Sequence, residues 1–148
     1  MSGRAHDERP IRIDPDRTVH DLLADRGGPS EIFASRPPIS VDTLFESLAE
    51  PGRRYVLTYL LMVEESVSTT ELVDYVVQRT DDGASRDRMR KAIASEMVHR
   101  HLPQLADAGL VEYNLERQLV GPTVRTEAAL PYLSLAVEQV REAEAAEE

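Results

Sequence analysis

Gly109 constrains this chain more than any other residue. Before it, Met89, Ile93, Met97, Leu102 and Leu105 recur at helical spacing, and after it Leu110-Val111-Glu112-Tyr113 alternates as a strand does. Glycine is the expected C-terminal stop between the two. The spacing predicts one long helix from about Ser85 to Ala108, with Pro103 inside it removing a backbone hydrogen bond and favouring a kink. Leu119-Val120 returns antiparallel to the first strand across the mostly polar turn from Asn114 to Gln118, and Gly121-Pro122 closes the hairpin.

Upstream, Leu44, Phe45 and Leu48 mark a helix that stops before Pro51-Gly52, and Tyr55, Val56, Tyr59, Leu60 and Val63 form one face of the next. Val67 and its neighbours can form a short extended rung. Ser68-Thr69-Thr70-Glu71 reads as a capping box opening a helix with Leu72, Tyr75 and Val76, ending near Arg79. Residues 1–40, rich in Arg, Asp, Gly and Pro, read as a loosely structured arm with one short helix from Thr18 to Arg26. Residues 41–122 form the expected domain. In residues 123–148, Pro131 can open a helix with Leu133, Val137 and Val140 on one stripe.

The expected fold is therefore mainly α with a small β-hairpin wing, in the order of a winged helix-turn-helix with a C-terminal helix. Two runs carry a family resemblance: Leu48-Ala49-Glu50-Pro51-Gly52-Arg53-Arg54-Tyr55-Val56-Leu57, and Arg100-His101-Leu102-Pro103-Gln104-Leu105-Ala106-Asp107-Ala108-Gly109-Leu110-Val111. The first resembles the "L-x-x-P-x-R-x-x-I-L" opening of ArsR-type winged-helix repressors. The second resembles their "R-H-L-x-x-L-x-x-A-G-L-V" run, the recognition helix passing into the wing. Together they are similar to small winged-helix domains of unassigned function common in halophilic archaea. The resemblance implies a DNA-binding transcriptional regulator, with Arg53 pairing near a helix end and His101 supporting packing. Two departures stand out. Residues 78–94 lengthen the connection before the recognition helix, which changes how that helix would dock. The chain also has no cysteine, so thiolate metal sensing does not carry over.

Composition bears on the partner. The formal charge is −10, and of 17 basic residues 16 are arginine and only Lys91 is lysine. Such acidity ordinarily argues against nucleic acid. GC-rich coding alone would favour arginine over lysine, but with the acid excess a high-salt cytoplasm is the better reading. In molar salt the Debye length shrinks to roughly 3 Å, so net charge says little about partners. Locally, residues 85–101 hold Arg86, Arg88, Arg90, Lys91 and Arg100 against Asp87 and Glu96, a net +3.

The expected DNA contacts are Ser95, His99, Arg100 and Gln104 from the long helix, the basic cluster Arg86, Arg88, Arg90 and Lys91 along a phosphate edge, and Arg117 at the wing tip. The same cluster could instead pair with the chain's own carboxylates, and phosphate would repel Glu96. Leu133, Val137 and Val140 are the expected homodimer interface, although the stripe could equally dock back on its own domain. His99 and His101 lie about 200° apart on a helix and cannot share a metal. No nucleophile elbow, glycine-rich phosphate loop or metal-ligand set is present, so no enzyme activity and no cofactor are expected. With no apolar run long enough to cross a membrane and no secretory signal pattern, the expected location is cytoplasmic. The other functional reading is a winged-helix protein-interaction module that does not bind DNA.

Overall fold

The computed structural model describes residues 16–35, 39–80 and 86–135. Among them the fold is mainly helical, with one small three-stranded antiparallel sheet. Helices α1 (Val19–Asp25) and α2 (Pro29–Ser35) precede α3 (Val41–Ser47) and α4 (Pro51–Val63). Strand β1 (Val67–Ser68) leads into α5 (Thr69–Arg79). Then α6 (Arg86–Glu96) runs through a π turn, Met97–His101, into α7 (Leu102–Asp107). Strands β2 (Val111–Asn114) and β3 (Leu119–Pro122) follow, then a 3-10 turn, Thr126–Ala129, and a helix over 130–135.

The arm is more structured than its composition suggests. Thr18 caps α1 through a full capping box with Asp21, and Val19, Leu22 and Ile32 are buried in the same core as the later helices. Glycine and proline break residues 16–35 into short pieces, but each piece keeps an apolar residue to bury. Arg26 fastens this region by hydrogen bonds to Glu127 at 2.8 Å and Glu64 at 3.1 Å.

The long helix departs from expectation at its middle. It is interrupted one turn before Pro103, where Leu102 donates to the Met97 carbonyl in the wider π pattern. Proline has no N–H and its ring presses on the carbonyl four residues back, so a widened turn ahead of it relieves the clash. Gly109 then stops α7 at φ 80°, where the left-handed backbone favours glycine. The hydroxyls of Thr123 and Thr126 donate to the Gly109 and Leu110 carbonyls, at 2.7 and 2.8 Å.

The sheet order is β1-β3-β2, so the rung at Val67 pairs with Val120 and Ser68 with Leu119. Gly121-Pro122 does not close the hairpin as expected but extends β3, Glu112 opposite Gly121 and Val111 opposite Pro122. Pro122 is tolerated there because β1 pairs only with residues 119 and 120, which leaves that end of β3 an edge. Gly121 sits in a close approach: a Cβ would lie 2.5 Å from the Ser66 hydroxyl, which would have to turn aside.

Leu133 is buried at 3 % exposure within this chain's own core, so the expected dimer stripe begins by docking on its own domain. Val137 and Val140 lie outside the described residues. No described helix is long and apolar enough to cross a membrane.

Candidate functional site

Helix α6 has one apolar side and one polar side. Met89 and Ile93 pack against the core with Met97 beyond them. At 100° per residue, Arg88, Lys91 and Ser95 fall on the opposite side, and His99 continues that line into the π turn. All four are exposed, as are Arg86, Arg90 and Arg100, whereas Gln104 is half-buried. The structure thus brings Arg88, Lys91, Ser95 and His99 onto one surface. Arg90 turns away from it to pair with Asp74 on α5. Arg117 is exposed on the turn after β2, where its amide donates to Asn114 Oδ1 at 3.0 Å. Glu112 and Glu116 are also exposed there, so the hairpin is acidic on balance.

Arg100, next to His99 in the chain, is engaged with two carboxylates. Its two terminal nitrogens donate to the two carboxylate oxygens of Glu50, at 2.7 and 2.8 Å, and its Nε donates to Glu96 at 2.8 Å. Those hydrogen bonds raise the Arg100 pKa further, and the Arg100 bond holds the Glu50 carboxyl below its ordinary range. Glu50 is the N-cap of α4 but makes no side-chain capping bond, so its carboxylate is committed to Arg100.

Behind this pair lies a buried one. Arg53 donates to the Ser47 carbonyl at 2.9 Å, to the Glu46 carbonyl at 3.0 Å, and to His101 Nδ1 at 3.2 Å. Arginine cannot accept, so Nδ1 accepts and the ring proton sits on Nε2. Burial pushes the His101 pKa down, with Arg53 and Arg100 adding repulsion that outweighs Glu50 and Glu96 at 4.0 and 3.9 Å. Gly52 permits the approach: a Cβ there would lie 2.9 Å from His101 Nε2. His99 faces solvent while His101 is buried, so the two point apart as their spacing requires. No group of three potential metal ligands occurs among the described residues.

Sequence reasoning named the four residues of the exposed line, but in two separate groups, and missed Glu50. The Glu96–Arg100 pair is legible at i, i+4, whereas Glu50 reaches Arg100 across 50 positions and carries no local signal.

These features define a small, mainly helical domain with a three-stranded sheet and one exposed helix whose outer side is partly basic. Residues 45–121, just over half of the 148-residue chain, match the family described as a domain of unknown function (DUF7344), and the chain belongs to that family. No curated protein and no solved structure matches the chain.

Proposed function

We propose that this chain is a winged-helix transcriptional regulator that binds duplex DNA as a homodimer. The observation that carries the reading is the exposed line Arg88, Lys91, Ser95 and His99 on a helix that follows a capped helix and leads into an antiparallel hairpin. In this reading α5 and α6 form the helix-turn-helix, α6 with its π turn enters the major groove, and the β2–β3 hairpin is the wing. Arg88 and Lys91 meet phosphates, and Ser95 and His99 meet base edges. Residues 78–94 lengthen the approach to this helix relative to the ArsR-type pattern, so its N-terminal turn docks differently. The acid excess and lysine deficit fit a high-salt cytoplasm, and the protein is read as cytoplasmic, with no enzymatic role.

The second copy would use a face other than the Leu133 stripe. Val41 and Phe45 on α3 and Leu135 near the chain's end are exposed apolar residues, and Phe45 meets Tyr132 edge to face at 5.7 Å. A symmetric dimer through this patch would have to hold its two α6 helices about 34 Å apart to span successive major grooves. Phe45→Ser with Leu135→Ser is expected to convert a dimer to a monomer by sedimentation in molar KCl. A monomeric parent protein removes the dimer from the proposal.

The other reading, a protein-interaction module, is favoured by the acidic hairpin and by Arg100 being engaged with carboxylates. Selection from a random duplex library in molar KCl separates the two. Enrichment of a common sequence, lost on Lys91→Ala with His99→Ala, supports the regulator. An unenriched library supports the interaction module.

A further inference from the structure

We infer that Glu50 is a built-in stand-in for a DNA phosphate, occupying the anion-binding fork of Arg100 until a duplex displaces it. The inference rests on the DNA-binding reading above and adds an autoinhibitory contact to it.

Three observations carry it. The Arg100–Glu50 contact is bidentate, with terminal nitrogens at 2.7 and 2.8 Å from separate oxygens. That parallel fork is the geometry with which arginine also takes a phosphate. Second, the pair is at the surface, the two side chains 48 % and 39 % exposed, so a phosphate can reach the guanidinium without unfolding anything. Third, Glu50 makes no side-chain capping bond at the start of α4, and beyond Arg100 its carboxylate has only a longer contact, 4.0 Å to His101 Nε2. Arg100 lies next to His99, at the end of the exposed line along α6, where a phosphate tracking that line would arrive.

The exchange is balanced in charge. One carboxylate leaves the fork and one phosphate oxygen pair enters, while Glu96 keeps its bond to Nε and its 2.6 Å contact with one terminal nitrogen, which holds the guanidinium plane in place. The contact lowers affinity by occupying the fork, and salt weakens it because the pair is exposed.

The test is a fluorescence-anisotropy titration of a random-sequence duplex with the full chain. The parent protein is compared with Glu50→Gln, Arg100→Ala, their double variant, and Glu46→Gln, which removes a charge nearby on exposed α3 outside the fork. Glutamine keeps the shape of glutamate, and Glu50→Ser, which also empties the fork, serves as a second release variant if Glu50→Gln lowers the thermal midpoint. The expected result is about three- to fivefold tighter binding for Glu50→Gln, the scale of an exposed ion pair. The gain should be absent for Glu46→Gln, abolished in the double variant, and reduced as KCl rises. Binding by the parent protein that neither release variant tightens overturns the stand-in and leaves the DNA reading intact. A gain that survives Arg100→Ala also overturns it, since charge alone would then account for the effect. If no protein in the set binds the duplex, the DNA reading falls and the stand-in falls with it.

Discussion

At Tyr113 a hydroxyl is buried beside the hairpin with no hydrogen-bond partner, and burial raises its pKa. Removing such a group relieves a desolvation cost without breaking a bond, so Tyr113→Phe should leave stability unchanged or raise it by up to about 1 kcal/mol. A lower urea midpoint in the variant would mean that the hydroxyl has a partner. His101 makes the opposite kind of prediction. Its folded pKa lies below the ordinary 6.5, so between the two values the unfolded chain binds more protons than the folded one. Stability should therefore be full above pH 6.5 and fall as the pH drops below it. Thermal midpoints from pH 7.5 to 5.5 should decline in the parent protein and decline less in His101→Gln. Equal slopes would show that the ring is not held neutral. Glu50 is held below its ordinary 4.5 and so acts outside this window.

Among the elements, the N-terminal pair of helices carries the clearest consequence. Leu22 is fully buried and Ile32 nearly so, although both lie ahead of the family-matched segment 45–121. If α1 and α2 belong to the core, Leu22→Ala should cost about 2–4 kcal/mol by urea denaturation. A loose arm would lose almost nothing. This element also shows what a sequence can and cannot disclose. The helix at Thr18 was legible because its cap and three apolar residues are close in sequence, but its burial depends on packing against α4, far along the chain. Helices α3, α4 and α5, the rung at Val67 and the hairpin were legible from short-range periodicity for the same reason. The break in the long helix was read at Pro103 because proline is the visible cause. Its effect falls one turn earlier, since the ring acts on the carbonyl four residues back. The exposed line along α6 was readable from spacing, whereas the Glu50–Arg100 fork, joining the end of one helix to a distant turn, was not.

For the whole molecule, the question raised by a formal charge of −10 becomes one of placement. Arg88 and Lys91 sit on one exposed helix face, Arg90 and Arg100 pair with Asp74 and Glu50, and the hairpin is acidic. In the proposed binding mode the contact surface is narrow: α6 carries the affinity and the hairpin adds little. Arg117→Ala should change duplex affinity less than Lys91→Ala does, as measured in parallel titrations; the reverse order would move the contact to the hairpin. The most direct test of the central claim is the dependence of duplex affinity on KCl, taken over salt concentrations at which circular dichroism shows the chain folded. The account predicts that log K falls linearly with log KCl, and that Arg88→Ala and Lys91→Ala each reduce the slope by about one. Slopes identical to the parent's, or no measurable affinity at any of these concentrations, would contradict it.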